Sequence, residues 1–258
     1  MITRTRTISN IEHVTVGGAH IARLDLTATA QAMIDLAQEP VRDCGPYYLT
    51  SVNGEVLARR SVDAAFAALV DCSDMISADG QPMVSASQLF CSTPLPERVA
   101  TTDLYPLVAQ MAEASGVSFY LYGASEEVNA GACEETLRMC PRLDIKGRSH
   151  GFLKGEELDA KLAEIDALAP DILWLAMGVP LEQEFVRRYA KRLPNVKMIK
   201  TSGGLFDFVA GAKQRAPNWM QRAGLEWAFR LSLEPKRLGK RYLTTNPLAL
   251  MLLMTQTY

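Results

Sequence analysis

The residues best placed for chemistry are carboxylates, amides and glycines that directly follow short apolar runs. After YYLTSV (47–52) come Asn53, Gly54 and Glu55, and after Met75 and Ile76 come Ser77, Ala78, Asp79 and Gly80. Asn53 suits a helix cap as well as a ligand contact. An Asp-Gly pair is a turn signal, but a carboxylate at the carboxyl end of a strand is also where a general base would stand. After VSFYLY (117–122), Gly123, Ala124 and Ser125 open a helix whose free N–H groups and dipole would suit a diphosphate; the run is neither GxGxxG nor a P-loop. After DILWLAM (171–177) comes Gly178-Val179-Pro180-Leu181-Glu182-Gln183-Glu184, where the acids suit capping and the glutamine amide suits sugar hydroxyls or phosphate. After VKMIKT (196–201) come Ser202, Gly203, Gly204, Leu205, Phe206 and Asp207. Adjacent glycines permit close backbone approach. Asp207 reads either as a turn residue or as an acceptor for a nucleobase imide.

These residues need a scaffold that brings strand ends together. The apolar runs at 47–52, 117–122, 143–146, 171–177 and 196–201 alternate with helical patterns at 56–69, 126–139, 156–168 and 182–193. Such alternation predicts an α/β fold, a Rossmann-like, mostly parallel sheet with helices on both faces, whose ligands bind beyond the carboxyl ends of the strands. The last part differs. QRAPNWMQRAGLEWAFRLSLEPKRLGKRY (214–242) is basic, tryptophan-bearing and helical without strands, and Asn246-Pro247 then leads into an apolar tail, LALMLLM. The expected organisation is an α/β core over 1–212 and a basic, aromatic C-terminal helical appendage over 213–258. Arg215, Arg222, Arg230, Arg237 and Arg241 suit phosphate oxygens. With Trp219 and Trp227 they suit a membrane surface, or equally a solvated helix face.

Composition narrows the field. The chain has 258 residues, 48% hydrophobic and 22% charged, enough for a full core. A net charge of -2 gives no global pull toward nucleic acid. Five cysteines without CxxC spacing point to reduced thiols, hence to the cytoplasm. The N-terminal MITRTRTISNIEHV lacks the apolar stretch of a signal peptide, and no run reaches the roughly 18 apolar residues of a membrane span. Any membrane contact is expected to be peripheral, at the inner face of the cytoplasmic membrane. There is no DxD triplet, the three histidines lack metal-ligand spacing, and there is no GxSxG elbow.

Taken in order, SADG, Glu97-Arg98-Val99, HGF (150–152), GVPLEQE, GGLFDFVAG and RAPNWMQRAGLEWAFRLSLEP resemble the WecG/TagA/CpsF family of bacterial glycosyltransferases, over about 47–242. The resemblance implies inverting transfer of an N-acetylmannosamine-type or related sugar from a UDP-sugar donor to a polyprenyl-diphosphate-linked saccharide, in cell-surface polysaccharide synthesis. It implies no metal and no other cofactor. Asp79 is implied as catalytic base. Ser51 and Asn53 correspond to a Thr-x-Asn motif at the donor pocket, Gln183 to the glutamine of PxQE, and Asp207 to the aspartate of GGxFD that holds uracil. Arg98, Gly123, Ala124, Phe152, Gly178, Gly203 and Gly204 complete the expected donor site. Arg215, Arg222, Arg230, Arg237 and Arg241 are expected at the acceptor and membrane. The resemblance also implies a core able to self-associate when the appendage is undocked.

The sequence departs from the family at three places. Ser51 stands for the usual threonine. Arg98-Val99-Ala100-Thr101 lacks the usual glycine, which is expected to narrow access. Glu182 stands for the usual lysine, removing a positive charge near the pocket. Two other readings remain: an NAD-dependent sugar-nucleotide enzyme, disfavoured by the missing GxGxxG, and a catalytically altered adaptor of the same fold.

Overall fold

Six short apolar runs pair edge to edge because each buries alternate side chains on opposite faces. The computed structural model describes residues 6–258; residues 1–5, where the segment read as lacking a signal peptide and the 1–212 core begin, lie outside the described residues. The elements in order are α1 (Arg6–Ser9), β1 (His13–Val16), β2 (Ala19–Ala22), α2 (Leu26–Gln38), β3 (Tyr47–Val52), α3 (Gly54–Val62), α4 (Ala64–Asp71), β4 (Met75–Ala78), α5 (Gln81–Phe90), α6 (Thr101–Ser115), β5 (Phe119–Gly123) and α7 (Glu126–Met139). They continue with β6 (Ile145–Ser149), α8 (Gly155–Leu168), β7 (Ile172–Ala176), α9 (Leu181–Tyr189), β8 (Met198–Thr201), α10 (Leu205–Val209), α11 (Asn218–Arg222), α12 (Glu226–Leu233) and α13 (Pro235–Thr255).

The main sheet has the order β4-β3-β8-β7-β5-β6, and every neighbouring pair is parallel. From β3 the chain steps outward to β4; from β5 it steps outward the other way to β6. The carboxyl ends between these divergent crossovers form the crevice where such folds bind ligands. On one face Tyr47, Leu49, Phe119, Trp174 and Met198 pack with residues of α2, α6 and α7. Trp174 meets Tyr105 edge-on at 4.8 Å. On the other face Tyr48, Tyr120, Leu173 and Ile199 pack with residues of α8 and α9, and Val52, Ile76 and Ala78 with residues of α3, α4 and α5. The expected α/β architecture with helices on both faces is what the chain adopts.

Two details differ from the sequence reading. The helical pattern at 56–69 is two helices, because Asp63 ends α3 and caps α4 through Phe66 N–H. An antiparallel hairpin, β1–β2, precedes the sheet; Gly17 and Gly18 form its two-residue turn with φ of 57° and 78°, as a mirror-image turn requires. The helical appendage runs on through Asn246-Pro247. Pro247 lies inside α13, and the apolar tail continues that helix. Leu252 and Leu253 are buried with Val56, Leu57 and Val16, while Leu250, Met251 and Met254 are exposed. The end of the chain is tied to the hairpin: Gly18 N–H donates to the Gln256 carbonyl, Gly17 N–H to Thr257 Oγ1, and Tyr258 N–H to the Thr15 carbonyl. Among the described residues, no helix is long and apolar enough to cross a membrane.

Candidate active site

A cleft of about 810 Å³ opens at the carboxyl ends of β3, β4, β7 and β8. Its far wall is built by residues of α12 and α13. Of the residues singled out from sequence, Ser51, Asn53, Asp79, Arg98, Ala124, Phe152, Gly178, Gly203, Gly204, Asp207, Arg230, Arg237 and Arg241 all line it. Gly123, Gln183, Arg215 and Arg222 do not.

Asp79 follows β4 and stands at the N-terminus of α6, where the cap residue, Ala100, offers no side-chain hydrogen bond. The Thr101 hydroxyl donates to Asp79 Oδ2 at 3.3 Å. Thr101 occupies the place of the family's usual glycine, so the change expected to narrow access also sets a hydroxyl against the carboxylate. Burial pushes the Asp79 carboxyl up to about 6, opposed by Lys200, Arg98 and the start of α6 at Thr101. That value suits a base working near neutral pH.

The floor holds two charged groups that sequence reasoning did not assign. Lys200 on β8 is 1% exposed and donates from Nζ to Ser51 Oγ at 2.8 Å and to the Thr201 carbonyl at 3.0 Å. Burial pushes it down to about 8, opposed by Asp79 and Glu182. Glu182 is equally buried. Its Oε2 accepts from Gly203 N–H at 2.8 Å, and burial pushes it up to about 7, opposed by that N–H and by Lys200. The positive charge expected to be lost at Glu182 is therefore present beneath the same floor, on Lys200. A lysine in a strand reads as a solvated residue, and only its same-face pairing with Ser51, two residues beyond its register partner Leu49, marks it out.

The other predicted residues divide by what already holds them. Asn53 caps α3, its Oδ1 accepting from Glu55 and Val56 N–H, while the residue still faces the cleft. Gln183 lies outside the cleft lining: it is buried and donates to Glu182 Oε1, and Glu182 takes the position at the cleft. Gly123 packs directly against Ala176, and Ala124 N–H is already donated to the Ala176 carbonyl. By contrast, a Cβ at Gly178 or Gly203 would meet nothing within 4 Å, so the backbone there is open to the cleft. Phe152 is 70% exposed at the rim. Asp207 is paired with Lys213 at 2.6 Å.

Arginines from both halves of the chain meet around two carboxylates. Arg98 donates to Glu226 (2.9 Å), Asp103 (3.2 Å) and Gln221 (3.2 Å), and Arg215 donates to the same Asp103 and Gln221. This latch joins the segment before α6 to α11 and α12. Arg241 pairs with Glu55 at 2.8 Å, and Arg237 with Glu234. Arg222 is exposed. Among the described residues, Arg230 is the arginine of the cleft lining that no carboxylate holds; it lies 5.8 Å over the Phe208 ring. No three His, Cys, Asp or Glu side chains converge as a metal site among the described residues.

A cleft at the switch point of a parallel sheet, with two carboxylates raised by burial and arginines along its wall, fits a transferase acting on an anionic donor. The family model described as "Glycosyl transferase WecG/TagA/CpsF family" matches residues 14–258. A Bacillus subtilis (strain 168) protein named N-acetylglucosaminyldiphosphoundecaprenol N-acetyl-beta-D-mannosaminyltransferase is 32% identical over 215 residues, covering 80% of this chain and 82% of its own. A Bacillus spizizenii (strain ATCC 23059 / NRRL B-14472 / W23) protein of the same name is 30% identical over 191 residues, covering 74% and 72%. This chain belongs to the WecG/TagA/CpsF family of glycosyltransferases.

Proposed function

We propose that the enzyme transfers an N-acetylmannosamine-type sugar from a UDP-sugar to a polyprenyl-diphosphate-linked saccharide, with inversion and with Asp79 as base. The observation that carries the mechanism is Asp79 itself: a carboxylate deep in the cleft at a strand end and a helix N-terminus, held near neutral pH. In a single displacement it takes the proton of the acceptor hydroxyl as that oxygen attacks the anomeric carbon and UDP leaves. The backbone at Gly178 and Gly204, with Arg230, forms the diphosphate cradle; Gly203 N–H is held by Glu182. Asp207, exchanging Lys213 for a uracil imide, and Asn53 would fix the nucleoside. The sugar and acceptor are those in the names of the Bacillus relatives.

In this reading residues 1–212 are the catalytic core and 213–258 an appendage that walls the cleft and faces the lipid. Trp219, Leu243, Leu250, Met251 and Met254 are exposed there, together with Arg222 and Arg237, a combination suited to peripheral contact with an anionic bilayer. Asp79→Asn, assayed with UDP-N-acetylmannosamine and a lipid-diphosphate N-acetylglucosamine acceptor, is expected to lose transfer while still binding UDP. Near-normal turnover would overturn the base assignment.

A further inference from the structure

Lys200 is a lysine sealed under an active site, and neither the packing nor the proposed chemistry above accounts for it. Met198, its neighbour on the same face of β8, sits in the apolar core, and a hydrophobic residue would continue that core at lower desolvation cost. What surrounds Lys200 is an ordered run of donors. Its ammonium donates to Ser51 Oγ at 2.8 Å, Ser51 Oγ lies 3.3 Å from Thr101 Oγ1, and Thr101 Oγ1 donates to Asp79 Oδ2 at 3.3 Å. An ammonium has no acceptor capacity. Ser51 therefore receives from Lys200 and is left to give its own proton to Thr101, which gives its own to Asp79. All three hydroxyl and ammonium donors point one way, toward a single carboxylate oxygen.

We propose that Lys200 is a positioning residue for the acceptor base: through the hydroxyls of Ser51 and Thr101 it supplies the countercharge of Asp79 and ties down Oδ2, leaving Oδ1 to meet the acceptor. This rests on Asp79 being that base. The charged groups around the pair are few. Arg98, from the segment before α6, and Arg215, ahead of α11, face Asp79 but are shared with Asp103; Glu226 of α12 opposes them; Glu182 of α9 is the other carboxylate facing Lys200. Among the described residues, Lys200 is the cation near Asp79 that no direct salt bridge engages, and it acts through the hydroxyl run.

The test is Lys200→Met, which keeps length and removes charge. Two readouts are followed: the acidic limb of kcat/KM, and the carboxyl-carbon NMR titration of Asp79, assigned by difference from Asp79→Asn. Removing the cation raises the Asp79 titration point, so both are expected to move upward by about one pH unit or more, with roughly tenfold lower transfer on the acid side that recovers as pH rises. A purely structural lysine would lower stability or overall rate and leave both midpoints in place; that result overturns the proposal. Should Lys200→Met fail to fold, Ser51→Ala cuts the same run between the lysine and Thr101 while leaving the Thr101 hydroxyl on Asp79. An upward shift of the Asp79 titration supports the proposal, and an unmoved one refutes it. The carboxyl titration needs no turnover. An active Asp79→Asn would therefore refute the base assignment while the Lys200–Asp79 coupling is still read separately.

Discussion

Replacing Leu253 by alanine tests how the wall of the active site is held up. Leu253 is 5% exposed and packs with Leu57 beneath the Gly17 turn. The substitution removes three carbons, worth about 2.4 kcal/mol of transfer free energy at about 0.8 kcal/mol each. An unfilled cavity adds up to about 2 kcal/mol more, giving about 2.5–4 kcal/mol in all. Urea denaturation monitored by tryptophan fluorescence should show the midpoint falling with little change in slope. Leu250→Ala and Met251→Ala, on the exposed side of the same helix, should each cost less than about 0.5 kcal/mol. Arg237 and Arg241 ride on this helix and line the cleft, so the Leu253 variant should also show a raised donor KM before kcat falls. A loss below about 1 kcal/mol for Leu253→Ala, or equal losses for all three, would refute the buried seat of the tail.

The remaining predictions concern the site. Because Asp79 must be ionised to act and burial holds it up to about 6, kcat/KM should fall as pH drops through about 6; an acidic limb near the ordinary aspartate value, about 4, would contradict the environment described. Arg230→Ala should weaken UDP binding by roughly tenfold to a hundredfold, the worth of a charge-assisted contact, measured by calorimetry; unchanged affinity would remove Arg230 from the diphosphate. Gly123→Ala should cost more than about 3 kcal/mol, because its Cβ would lie 2.4 Å from the Ala176 carbonyl oxygen at a φ of 133°. Thermal melting checks this, and a wild-type melt would contradict the close approach.

The sheet is legible because its strands are short apolar runs ended by glycine or polar residues, and five of the six stand out in the sequence; β4, visible only as Met75 and Ile76, is four residues long. The β1–β2 hairpin was missed although Gly17-Gly18 between alternating residues is its signal. Asp79 was legible as a carboxylate after a strand. Lys200 is not, because a lysine in sequence looks solvated until the fold shows what surrounds it, and Glu182, legible near the pocket, gives no sign in sequence of its burial. Gln183 is legible as a motif, but one helical step separates it from Glu182, and it is Glu182 that lines the cleft while Gln183 is buried beside it. The tail LALMLLM was legible as apolar, but which of its two sides meets protein depended on α13 continuing through Pro247.

Residues 213–258 are fastened at their start, middle and end, with Arg241 of α13 paired to Glu55 of α3 between the two ends. Arg215 and Gln221 are clamped to Arg98 and Asp103 at one end, and residues 256–258, just after α13, are stitched to the β1–β2 hairpin at the other. A segment held at its start, middle and end stands as a fixed wall and not as a flap, so the shape of the cleft is set when the chain folds and not when something enters it.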